Sequence, residues 1–251
     1  MPITIVQIYR HPVKGLSPEP LERVALTRGE GVPHDRRFAL ALATSQFNAA
    51  APAWLPKTNF LMLMKNESLA RLRTRFDETS GELTIALDGS CAARGNLLEP
   101  QGRAAIEDFF ARYMAGEIAG RPRLVAAPGH MFSDVARKVV SIIGLPSLRA
   151  LEDAIDATLD ARRFRANFYV EGSAPWQEFD WIGREFSLGR VRLRGIKRIS
   201  RCAATNVDPE TAARDFDLPR SLRQHFGHGD MGLYAEVLDE ETAAVDDELR
   251  L

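Results

Sequence analysis

Val191-Arg-Leu-Arg-Gly-Ile-Lys-Arg-Ile199 alternates apolar with basic residues and runs straight into Ser200-Arg-Cys-Ala-Ala-Thr-Asn-Val-Asp-Pro-Glu-Thr211. Period-two alternation predicts a half-buried strand. Asp208 followed by Pro209 has the grammar of a helix start, with Asp at the N-cap and Pro at the first helical position. A helix is therefore expected over residues 208–218. Cys202, one of two cysteines, then falls just past a strand end, in a loop that opens the next element. Chemistry concentrates at such places, because a rigid element holds the base while the tip stays reachable. Arg198 and Arg201 stand beside it, and cationic neighbours favour the thiolate, the form that attacks electrophiles or binds metal. Most free cysteines are small buried hydrophobes, but arginine and asparagine neighbours do not build an apolar pocket.

The composition bounds the rest. At 251 residues the chain makes one large domain or two closely packed smaller ones. A formal net charge of −1 gives no global drive toward nucleic acid or an anionic membrane, so neither is expected as a partner. Cysteines 91 and 202 are too few and too far apart for a disulfide framework and suit a reducing compartment. With no bilayer-length apolar run and no charged-then-apolar leader, a cytoplasmic location is expected.

From the N-terminus, Ile3–Tyr9 reads as a strand that stops at His11-Pro12, leaving Lys14-Gly15 in a turn. Further strands are expected over Leu21–Leu26, Phe38–Leu42 and Val139–Ile143, with an irregular loop over residues 44–59. Ala70–Phe76 and Leu83–Leu87 flank Thr79-Ser-Gly81 as a hairpin. Cys91 lies in a small-residue loop with no carboxylate, histidine or cysteine beside it and reads as incidental. Ile106, Phe109, Phe110, Tyr113 and Met114 recur at helical spacing, an aromatic stripe packed into a core. Ser147 is expected to cap a second helix. Arg162–Val170 holds more arginines than a solvated strand requires, so Arg165 with Asn167 is the candidate for meeting an anion. His225 and His228 lack further ligands at zinc spacing and read as solvated. The tail after Asp239 is acidic, and no closing strand is read from it. The whole is expected to be mainly β with some α.

The Cys202 motif resembles the signature of the MOSC family, named for the C-terminal domain of molybdenum cofactor sulfurase. Ile8-Tyr-Arg-His-Pro-Val-Lys-Gly15 looks like the family's YPVKS/G opening, and His34-Asp-Arg-Arg-Phe-Ala-Leu40 like its DRRF strand. Arg163-Phe-Arg-Ala-Asn-Phe168 looks like its FRPN strand, with Ala166 in place of proline. The resemblance implies an N-terminal β-barrel-like domain over residues 1–95 packed against a MOSC β-barrel domain over 96–251. It implies a molybdenum cofactor, a pyranopterin dithiolene with a terminal phosphate, whose metal Cys202 would ligate. Lys14, Arg37, Arg165 and Arg201 would line that site with positive charge. Asn167 and Tyr234 would face the pterin, and Thr205 and Asn206 would orient the cysteine loop, with Asp208 as a second catalytic candidate. The activity implied is two-electron reduction of an N-hydroxylated small molecule, with electrons from a separate ferredoxin-, flavodoxin- or cytochrome-type protein. Two alternatives stay open: a sulfur carrier using a Cys202 persulfide, and a non-enzymatic cofactor carrier. Pyridoxal phosphate binding is a further association of the family.

Overall fold

The computed structural model describes residues 2–251. β1 (Ile3–Arg10) opens the fold, followed by the short β2 (Glu19–Leu21), β3 (Arg23–Leu26) and β4 (Ala39–Ala41). A meander of β5 (Leu72–Phe76), β6 (Glu82–Leu87) and β7 (Ser90–Asn96) packs against helix α1 (Pro100–Tyr113). Then come β8 (Arg123–Val125), β9 (Val140–Gly144), helix α2 (Leu145–Ile155) and β10 (Phe168–Glu171). The hairpin of β11 (Glu185–Leu188) and β12 (Val191–Ser200) precedes helix α3 (Leu218–Phe226). β13 (Asp230–Val237), β14 (Glu241–Ala244) and β15 (Glu248–Arg250) follow. The protein is thus mainly β, with three helices among the described residues.

Seven strands close a barrel in the order β10-β9-β13-β12-β11-β15-β1, and β1 pairs back onto β10. Every neighbouring pair in the ring is antiparallel except β9 with β10. Parallel neighbours need a crossover, and α2 supplies it. The interior is filled by side chains such as Ile5, Ile142, Phe168, Leu193 and Leu233, all fully or nearly fully buried. The alternation read from the sequence is visible in β12, where Val191 and Leu193 point in and Arg192 and Arg194 point out. It breaks at Gly195, where the pairing with β13 shifts register. Only glycine fits there, because a Cβ would lie 2.2 Å from the Trp181 carbonyl oxygen. The bulge re-aims the end of β12 just before Cys202.

A second core gathers Leu61, Leu72, Ile85, Ile106 and Phe110 beneath the β5–β7 meander and α1. The expected boundary near residue 95 falls at the end of β7. Chain from both sides of it enters both cores: β1 sits in the barrel, and α1 and β8 lie with the meander.

Four local readings need correction. Residues 208–217 form turns, not a helix, and α3 begins only at Leu218, capped by Asp217 with proline at its start. Pro209 follows Asp208 directly, whereas Leu218 separates Asp217 from Pro219, and only the second site is followed by an amphipathic run. Ser147 is not a cap: it lies inside the first turn of α2, whose N-cap is Gly144, and its hydroxyl donates to buried Glu178 at 2.7 Å. Cys91 lies on strand β7, exposed at the sheet surface. The acidic tail supplies β15, which pairs with β11 on one side and β1 on the other and so completes the ring.

Candidate functional site

Cys202 lies two residues past the end of β12 and opens the 3-10 turn Ala203–Asn206. Its carbonyl oxygen accepts from both the backbone NH and the hydroxyl of Thr205, each at 3.0 Å, which fixes the turn. The side chain lines a cavity of about 330 Å³ between the end of the barrel and the loops of the other lobe. Lys57, from the loop before Phe60, brings its Nζ to 3.1 Å from the sulfur. Burial works against the Lys57 charge, but Asp134 and the sulfur outweigh it and its pKa ends raised, so an ammonium faces the thiol.

Four more cations meet at this cavity. Lys14 is buried and donates to the Phe132 carbonyl at 3.0 Å and to Asp134 Oδ1 at 2.5 Å. Burial draws its pKa down, with Asp134 opposing. Arg36 pairs with Asp35 through one nitrogen and donates to the Arg165 carbonyl at 3.0 Å through the other. Arg165 donates Nη1 to the Leu16 carbonyl at 2.8 Å, while its buried Nη2 has no partner among the described residues. Burial, with Arg36 beside it, pushes the Arg165 pKa down to about 10. Both arginines hold a left-handed backbone, φ +50° at Arg36 and +53° at Arg165. Such conformations in non-glycine residues cost of order 1–3 kcal/mol each and cluster at functional sites. Arg201 spends its donors on the carbonyls of Met231 and Phe164, at 2.9 and 2.7 Å, and lies over the Phe164 ring. Arg163, Lys197 and Arg198 complete the basic lining, against which stands one carboxylate, Asp134, held well below the usual range by its lysine neighbours despite partial burial.

Of the residues singled out in the sequence, Lys14, Arg165, Asn167, Arg201, Cys202, Thr205 and Tyr234 all line the cavity. Asn167 lines it with its amide already committed: its oxygen accepts from Ser141 NH and OH, and its nitrogen donates to the Tyr9 carbonyl at 3.1 Å. It laces β1 to β9 across the barrel end. Arg37 does not reach the cavity; it lies over the Phe38 ring and bonds to His34, and its neighbour Arg36 takes the inward position. The resemblance pointed to Arg37; the positive φ at His34 and Arg36 turns the chain there and puts Arg36 in the cavity lining instead. Asp208 and Asn206 also lie outside the cavity. Asn206 accepts from Leu218 NH and fastens the start of α3. Asp208 accepts from the NH groups of Glu210 and Thr211 and from Arg163 Nη2 at 2.7 Å.

Sequence reasoning missed Arg163. It is 4% exposed and clamps the cysteine loop from below, with Asp208 on one side and both oxygens of Asp215 on the other. It is one of three arginines in Arg162–Val170, and nothing in the local pattern sets it apart from Arg165. Asp134 had no signal, sitting in a stretch without period. His228 packs among Trp176, Phe179 and Phe226, and its Nδ1 faces the Asp230 NH. Among the described residues no helix is long and apolar enough to cross a membrane.

Residues 127–250 match the MOSC domain family. Over 74 residues the chain is 30% identical to mitochondrial amidoxime-reducing component 1 of Mus musculus, a match that covers 30% of this chain and 21% of that protein. Among solved structures, the YuaD protein from Bacillus subtilis aligns over 99% of this chain and 94% of its own, at TM-score 0.47 and 10% identity. YiiM from Geobacillus stearothermophilus aligns over 45% and 53%, at TM-score 0.36 and 18% identity.

Proposed function

We propose, from the premise that this chain carries a MOSC domain over residues 127–250, that the Cys202 cavity binds a molybdenum cofactor and serves reduction of an N-oxygenated small molecule. The observation that carries this reading is a cysteine sulfur at the wall of a cavity lined by eight lysines and arginines and one carboxylate. The residues fit such a group by their chemistry. A thiolate is a soft donor suited to a metal already held by sulfur. The unpartnered Nη2 of Arg165 leaves a buried donor in want of an acceptor, which a phosphate or pterin oxygen would supply. Lys14 and Arg36 would share that anion-binding task. A volume of about 330 Å³ lies in the usual range for small-molecule sites, roughly 300–1,000 Å³.

Bound there, a molybdenum centre would supply two-electron redox chemistry. The chain's own part is positional. Thr205 holds the cysteine turn, Arg163 braces it from below, and Lys57 keeps a proton-bearing ammonium at the sulfur. The name of the amidoxime-reducing relative supports an N-hydroxylated substrate. Electrons would come from a separate protein.

A second reading, a persulfide carried on Cys202, draws support from the Lys57 contact, since an ammonium stabilises any anionic sulfur species. Metal and pterin content of protein purified from a cofactor-competent host separates the two. The cofactor reading expects molybdenum and pterin near one per chain. Protein free of both, carrying cyanide-labile sulfur instead, would overturn it.

A further inference from the structure

Trp176 holds a left-handed backbone, φ +66°. For a bulky side chain that conformation is an outlier, and such strain persists only where the surroundings enforce it. They do so here through a buried chain of hydrogen bonds. The Trp176 backbone NH donates to Ser147 Oγ at 2.7 Å, and the Ser147 hydroxyl donates to Glu178 Oε2 at 2.7 Å. Ser147 and Glu178 are both 0% exposed. The result is a half-buried indole whose own NH is unburied and meets no acceptor among the described residues. Its ring packs against Phe226, at the end of α3, and against His228, with centroids 4.6 and 5.1 Å away. Two arginines edge this aromatic face. Arg198 lies 4.2 Å over the Phe179 ring, which packs on His228. Arg223 brings Nη1 within 3.2 Å of where a Gly229 Cβ would stand. Both are exposed, and neither pairs with a carboxylate among the described residues, unlike Arg192 and Arg194 earlier on β12.

The face adjoins the Cys202 cavity at two points. Arg198 also lines that cavity, and the Gly229 carbonyl accepts from the NH of Arg201, the residue before Cys202, at 2.8 Å. Recognition surfaces are enriched in tryptophan, phenylalanine and arginine, and unpaired arginines select an acidic partner. We propose that this face docks the electron-donating protein, and that the donor presents an acidic surface to Arg198 and Arg223. The inference rests on the proposed function and names its partner by chemistry. Removing oxygen from an N–OH group consumes two electrons and two protons and releases water. The carrier therefore leaves oxidised by two electrons in all, over one docking or two, and the protons come from solvent. Trp176 supplies the apolar anchor, and the arginines set the orientation and rate of encounter.

An acidic flavodoxin and an acidic ferredoxin, both oxidised, are titrated against the full chain at low ionic strength by isothermal titration calorimetry. A basic cytochrome c is the control of opposite charge. At least one acidic carrier should bind and the basic one should not, and added salt should weaken the complex. Arg223→Glu and Trp176→Gly should each weaken it about tenfold or more. Glycine adopts a left-handed backbone at no steric cost, so the second variant keeps the turn. Arg112→Glu makes the same charge change at an exposed site on α1, in the other lobe, and should leave binding unchanged. No binding of either acidic carrier, equal binding of the basic one, or binding unchanged in Arg223→Glu would overturn the proposal, as would equal weakening in Arg112→Glu. Turnover of an amidoxime with a chemical reductant is read separately. Docking at this face without that turnover would sink the reductase reading alone, and turnover without docking would sink this one alone.

Discussion

Replacing His11 should flatten the acid side of the stability curve. The imidazole is 1% exposed, its Nδ1 lies 3.3 Å from Asp35 Oδ1, and its backbone NH donates to the same oxygen at 2.6 Å. Burial, followed by the charge of Arg165, pushes its pKa down to about 3, from the ordinary value of about 6.5. Between pH 7 and pH 5 the unfolded imidazole takes up a proton and the native one does not. The unfolded state then binds more protons, so stability falls as pH falls. Integrating one proton over that window gives a loss of about 2 kcal/mol. Asp35 does not contribute there: burial opposes its charge, but Arg36 and His11 hold its carboxyl well below the usual range, so its term begins only below about pH 5. His34, His130 and His228 are also drawn down by burial and act in the same window. Their share cancels when two curves are compared. The assay is urea unfolding of wild type and His11→Gln at a series of pH values from 7 to 5. The wild-type curve should fall more steeply, the gap between the two changing by about 2 kcal/mol across the series. Parallel curves would refute a buried, neutral His11.

The cysteine loop should loosen when its brace is removed. Arg163→Ala strands Asp208 and Asp215 and should cost about 3 kcal/mol in urea unfolding, with faster labelling of Cys202 by a thiol reagent. Wild-type stability in that variant would show that the clamp is idle. Arg36→Ala should strip most molybdenum from the purified protein while Arg37→Ala retains it, by metal analysis. The opposite order would restore the outward arginine to the site.

What could be read from the sequence depended on period and uniqueness. β12 was legible because apolar and basic residues alternate along it, and Cys202 because a cysteine amid arginines has few bland explanations. The hairpin of β5 and β6 was legible from Gly81, which holds φ +76°. β15 was not, because three residues carry too little pattern to register, and its place is set by pairing with strands far away in sequence. The turns after Asp208 were misread because Asp-Pro starts turns as readily as helices. The site was half visible. Lys14, Arg165, Arg201 and Thr205 follow from motifs, whereas Arg36 depends on a local reversal of φ, and Asp134 and Arg163 on contacts between distant segments.

The central claim is that Cys202, not Cys91, is the metal ligand. Cys91 is exposed on β7 with no cation or carboxylate bonded to its sulfur among the described residues, whereas Cys202 lines the cation-rich cavity with Lys57 at 3.1 Å. Cys202→Ser and Cys91→Ser are expressed side by side in a cofactor-competent host, and molybdenum per chain and amidoxime turnover with a chemical reductant are measured for each. Cys202→Ser should remain folded and lose turnover, because a hard and barely ionised hydroxyl replaces a soft sulfur donor, while Cys91→Ser should keep both metal and turnover. Full turnover in Cys202→Ser, or equal loss in both variants, would contradict it.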